Sequence, residues 1–120
     1  MKRSFILLLV LFSLSRSVSA QTDTTSKYFT VLYKTGKNWD AAKATNEQAF
    51  FKEHSQFLSD LRKKNIIKAG ARYSDIGMLI IKAKDLVTAE NLINSDIAIV
   101  NGLFSISVFE ASFFYKGCID

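Results

Sequence analysis

The chain has 120 residues, a length that fits one domain of the usual size of about 100–200 residues. It carries 16 Lys+Arg against 11 Asp+Glu, a formal charge of +5, with one histidine, one cysteine and no proline. A single cysteine excludes an internal disulfide, and with only one histidine a zinc site built from several His or Cys ligands is excluded as well.

The first twenty residues stand apart. Met1-Lys2-Arg3 is basic, Phe5 to Leu14 is almost wholly apolar, and Ser15 to Ala20 is small and polar. That order predicts a secretory signal peptide over residues 1–20, cut after Val18-Ser19-Ala20 and before Gln21. The apolar run is shorter than the roughly 20 residues of a membrane span. No stable membrane anchor is therefore expected after cleavage, and the expected location is secreted or periplasmic; an uncleaved anchor is the alternative. Removing 20 of the 120 residues, Lys2, Arg3 and Arg16 among them, lowers Lys+Arg from 16 to 13 against 11 Asp+Glu, and the charge from +5 to +2. Such a surface lacks the clustered cations that hold nucleic acid, so none is expected as a partner. Arg62-Lys63-Lys64 is the only basic run, and it falls where a helix should end, a place the helix dipole favours for cations. No cysteine stands at the cleavage point, which argues against a lipoprotein. Cys118 lies in a short tail, 118–120, as a free thiol or as half of an interchain bridge.

Residues 21–26 are polar and predict a flexible mature N-terminus. Lys27 to Lys34 reads as a strand, with Phe29, Val31 and Tyr33 on one face and Tyr28 and Leu32 on the other. Thr35 to Lys43 is a loop holding Gly36 and the only Trp, Trp39. Thr45-Asn46-Glu47-Gln48 has the form of a capping box and predicts a helix from there to about Lys64. Phe50, His54, Phe57, Leu58 and Leu61 supply its buried stripe. Asn65 suits a helix stop. Ile66 to Tyr73 and Gly77 to Lys84 read as strands joined by a turn over Ser74 to Gly77. Asp85 to Asn94 reads as a second helix, Asp96 to Asn101 as an extra turn closed by Gly102, and Leu103 to Tyr115 as a long last strand.

The order β-α-β-β-α-β predicts an α+β, ferredoxin-like fold: a four-stranded antiparallel sheet with two helices on one face. The uncovered face should then be polar, but it is not. Met78 and Ile80 point one way, Leu79 and Ile81 the other; the last strand divides Phe104, Ile106 and Val108 from Leu103, Phe109, Ala111 and Phe113. A sheet apolar on both faces needs a second cover. The expected cover is a second copy packed sheet to sheet as a two-fold homodimer. A groove for a small ligand is the competing account, and the two are compatible.

Several residue patterns carry a resemblance. They are G-x-x-W-D at Gly36 to Asp40, Glu47-Gln48, E-H-x-x-F-L-x-x-L at Glu53 to Leu61, A-G-x-x at Ala69 to Arg72, Ile76-Gly77-Met78-Leu79-Ile80-Ile81, the turn at Asp96, and the aromatic last strand. In this order they resemble the YCII-related (YciI-like) family over residues 27–117, nearly the whole mature chain. The resemblance implies a dimeric α+β barrel. It also implies a polar dyad in a pocket, between a histidine on the first helix and an aspartate opening the turn after the second; the matching residues are His54 and Asp96. The family often has proline after the strand-two glycine and after that aspartate, where this chain has Ala71 and Ile97.

Each candidate also has a plainer reading. His54 sits in an apolar stripe, where a core histidine needs only one hydrogen bond; as a dyad member it would be a general acid/base with Asp96 fixing its tautomer. Asp96 is equally suited to cap the turn that follows it, and one carboxylate can do both. Trp39 either lids a pocket or plugs a dimer edge. Arg72 either binds an anionic group or is an exposed strand charge. Tyr28, Tyr33 and the aromatic last strand read as core and dimer interface. No cofactor and no metal ligand set is indicated, and the G-x-S-x-G, P-loop and G-x-G-x-x-G patterns are absent. The expected function is a small-molecule pocket in a secreted YCII-like protein, serving a cofactor-free acid/base enzyme that uses His54 and Asp96. The alternative is a non-catalytic small-ligand-binding or structural dimer module.

Overall fold

The computed structural model describes residues 25–119, so the expected signal peptide and its cleavage site lie outside the described residues. The element order is β1 (Lys27–Thr35), a 3-10 turn (Thr45–Glu47), α1 (Phe51–Lys63), β2 (Ile67–Tyr73), β3 (Ile76–Ala83), α2 (Leu86–Asn94), α3 (Ile97–Val100) and β4 (Phe104–Ala111). The strands form one antiparallel sheet in the order β2-β3-β1-β4. Each crossover, β1-α1-β2 and β3-α2-β4, skips one strand, which is compatible with the ferredoxin-like arrangement.

Alternation decides which residues meet the helices. Val31 lies opposite Leu79 on β3 and Val108 on β4, and Phe29 lies opposite Ile81. Directly opposed residues share a face, so Phe29, Val31, Tyr33 and Ile81 form one apolar layer. Leu61 of α1 and Ala89 and Ile93 of α2 close over it. Local signals set the helix ends. The carboxylate of Asp85 accepts from the Thr88 N–H at 2.8 Å, capping α2, and hydrogen bonding from the Thr88 side chain and then its N–H holds the Asp85 carboxyl below its usual range. At the end of α1, Asn65 takes a left-handed conformation (φ 58°). This lets the Ile66 N–H reach Leu61 O at 2.9 Å and its own N–H reach Arg62 O at 3.0 Å, the paired closure that satisfies the last helical carbonyls.

Three expectations need correction. The first helix does not start at a Thr45 cap. Thr45–Glu47 is a separate 3-10 turn whose Ala44 N–H donates to the Glu47 carboxylate, and α1 begins only at Phe51. Phe50 adopts φ 64° just before it, so Phe50 leaves the buried stripe and Phe51 turns toward His54 instead. Gln48 does not complete a capping box with Thr45 either. Buried, it receives the Asp40 N–H at 3.0 Å and donates to Asp40 O at 2.6 Å and Lys43 O at 3.1 Å, tying down the preceding loop. Finally, β4 stops at Ala111 rather than Tyr115. Its pairing with β1 ends where Tyr28 lies opposite Ala111, and Phe114 and Tyr115 are left exposed.

The sheet face away from the helices carries Leu32, Met78, Ile80 and Phe109, with Phe109 55% exposed. Phe113, past the strand end, packs edge-on against Tyr28 at 5.5 Å and covers one corner.

Candidate functional site

Two elements bring the site together. His54 stands in the first full turn of α1, facing the sheet. Asp96 caps α3, which contacts α1. Asp96 has no exposed surface and His54 is 7% exposed. The two Asp96 oxygens have separate tasks: Oδ1 accepts from the Ala98 N–H at 3.0 Å, and Oδ2 lies 2.5 Å from His54 Nδ1. An ionised carboxylate can only accept, so beside an ionised Asp96 it is Nδ1 that carries the proton and donates. A neutral ring with that tautomer presents a lone pair at Nε2, which has no partner among the described residues and belongs to a residue lining a cavity.

That cavity has a volume of about 550 Å³. It opens between α1, the loop after β1 and the end of the sheet where β2 turns into β3. Its walls include Trp39, Phe51, Leu58, Leu79 and Phe104, with Arg72, Lys34 and Asp75 among the exposed residues. The imidazole lies among rings: Phe104 at 4.8 Å, Tyr33 at 5.4 Å and Phe51 at 6.0 Å between centroids. Trp39 packs on Phe104 at 5.7 Å and so lines the cavity beside His54. Arg72 lines it from β2 and forms no ion pair or hydrogen bond with any described residue. All four sequence candidates, His54, Asp96, Trp39 and Arg72, thus fall in or directly behind one cavity. Comparison with family models, with curated proteins and with solved structures found no match for this chain.

The structure adds Tyr33, which reads from sequence as core or interface. It is 6% exposed and lines the cavity, yet its hydroxyl is buried without a hydrogen-bond partner among the described residues. Burial, reinforced by the nearby Asp96 carboxylate, pushes its pKa well above the ordinary 10. The one signal in the sequence was its register on the inward face of β1, since a buried tyrosine hydroxyl calls for a partner. An unpartnered hydroxyl contributes nothing to folding and costs its desolvation. Tyr33→Phe is therefore expected to leave the melting temperature at pH 7 unchanged or to raise it. Because the folded state resists ionising Tyr33, that residue's contribution is present below its ordinary pKa and is lost as pH rises past it. The advantage of Phe should then widen in melts at pH 10.5. A clear drop in stability at pH 7 would show that the hydroxyl has a partner.

Among the described residues no three His, Cys, Asp or Glu side chains are gathered to hold a metal ion, and no helix is long and apolar enough to cross a membrane.

Proposed function

We propose that this chain is an exported, YCII-like protein whose cavity takes a small organic molecule, and that His54 moves a proton on it at Nε2. The observation that carries the reading is the asymmetry of His54. One ring nitrogen is held by a fully buried carboxylate; the other has no partner among the described residues and belongs to a side chain that lines a largely apolar cavity. A fixed tautomer with one open nitrogen is what a general acid/base needs, and such a group supplies about 10²–10⁴-fold in rate. Asp96 is the positioning residue, because it touches His54 and not the cavity. Proton abstraction beside a carbonyl is the reaction class this arrangement serves without a cofactor.

A panel of small carbonyl compounds in D₂O, followed by proton NMR, tests it. Wild type should catalyse deuterium uptake next to the carbonyl for at least one compound, and His54→Gln should slow that uptake by about 10²-fold or more. A ligand that raises the melting temperature without uptake would favour a binding module instead, since binding to the native state alone must stabilise it. Neither effect would leave a structural dimer.

The dimer is part of the same proposal. Supporting it is the second sheet face, where Phe109 is 55% exposed and Leu32 and Met78 are half-buried, while the helices cover only the other face. Light scattering on the purified protein at micromolar concentration should give twice the chain mass, and Phe109→Glu should shift it toward the monomer. A wild-type monomer would contradict the dimer.

A further inference from the structure

Along the sheet, Arg72 on β2 lies opposite Gly77 on β3, and Gly77 lies opposite Tyr33 on β1. The three share a row, so Arg72 stands on the helix-side face, about 10 Å across from Tyr33 at the usual strand spacing. The residue between them has no side chain; a Cβ at Gly77 would already touch Tyr33 Cβ at 3.5 Å. An open floor therefore runs from the guanidinium to Tyr33, whose ring lies 5.4 Å from that of His54. Apolar walls border this floor, and the charges that line the cavity are unbalanced: Arg72 and Lys34 against Asp75 alone. Arg72 is not paired with Asp75 or with any other described residue. An unpaired arginine at the end of an apolar cavity is suited to a planar anion held by two parallel hydrogen bonds.

We propose that the cavity takes a small, mostly apolar carboxylate whose anionic group sits on Arg72 and whose body lies over Gly77 toward His54 Nε2. This deepens the cavity reading and rests on it. The acid end is the handle for binding, and the far end meets the proton-transferring nitrogen.

One titration series separates the two claims. The probes are 4-hydroxybenzoate and its neutral isostere 4-hydroxybenzamide, read by the imidazole NMR signals of the only histidine and the fluorescence of the only tryptophan. The carboxylate should shift both signals and bind about tenfold or more tighter than the amide. Arg72→Gln, a change at an exposed edge-strand residue, should abolish that preference by weakening the acid alone. Arg72→Lys should restore part of it. Equal binding of acid and amide to wild type, or a preference that survives Arg72→Gln, overturns the proposal while the cavity reading stands. If neither probe moves either signal at millimolar concentrations, both fall.

Discussion

Replacing Asp96 by alanine is expected to destabilise the fold by about 3 kcal/mol. Three losses combine. The Ala98 N–H loses its cap acceptor, worth typically ~1 kcal/mol. His54 Nδ1, in a side chain only 9% exposed, loses its one partner among the described residues, a penalty of about 1–3 kcal/mol for a buried polar group. A void is left where Asp96 had no exposed surface. For a domain of this size the melting temperature should fall by more than about 10 °C. Asp96→Asn separates the roles. Its amide oxygen can still accept from Ala98, but the amide nitrogen facing His54 can only donate. Nδ1 must then accept and the ring proton must move to Nε2. The asparagine variant should therefore melt well above the alanine variant and still lose proton-transfer activity, because the cavity-facing nitrogen has turned from acceptor to donor. Loss of activity in strict proportion to loss of stability would argue that Asp96 is a cap and nothing more.

Gly36→Ala is the second large effect. Gly36 needs no unusual φ; its constraint is the neighbouring backbone. A Cβ there would lie 2.2 Å from Gly102 O and 2.8 Å from Gly102 C. No side-chain rotation relieves a clash with backbone, so the loop after β1 must lift. That would break a clamp in which the Gly36 N–H donates to Leu103 O at 2.7 Å and the Asn38 N–H to Gly102 O at 2.9 Å, with Asn38 Nδ2 on Asn101 O at 2.8 Å. Overpacking plus the lost bonds predicts a cost of about 2–4 kcal/mol by chemical denaturation. Trp39 rides on that loop against Phe104, so its fluorescence should shift toward that of a solvated indole even in folded protein. A stable variant with unchanged emission would show that the loop has slack the structure does not display.

The legible parts of the fold were those where local chemistry and tertiary packing agree. β1, β3 and α2 can be read because alternation and a helical run of apolar spacing are each sufficient by themselves, although Asp85 proves to cap α2 rather than to begin it. The start of α1 was misread because Thr45 to Gln48 satisfies a capping pattern, whereas the buried Gln48 side chain is committed to the backbone of Asp40 and Lys43. The end of β4 depends on where its pairing with β1 stops, which the residues Ser112 to Tyr115 do not encode. For the site, His54 and Asp96 could be paired only through the resemblance, since 42 residues separate them and nothing in either neighbourhood names the other. Tyr33 is not legible as a site residue because alternation reports burial but not the lack of a partner. The Gly36 clamp was hidden too, because its counterpart at Gly102 is brought near only by α3 and β4.

The central claim is that Asp96 holds the proton on His54 Nδ1 and leaves Nε2 open to the cavity. Nitrogen-15 NMR of the imidazole tests it directly, since the chain has one histidine. In the neutral ring of wild type, Nδ1 should give the protonated-nitrogen shift and Nε2 the bare one. Asp96→Asn should exchange the two. A wild-type ring protonated at Nε2, or one whose tautomer is indifferent to Asp96→Asn, would contradict the account and leave His54 a core residue beside a capped turn.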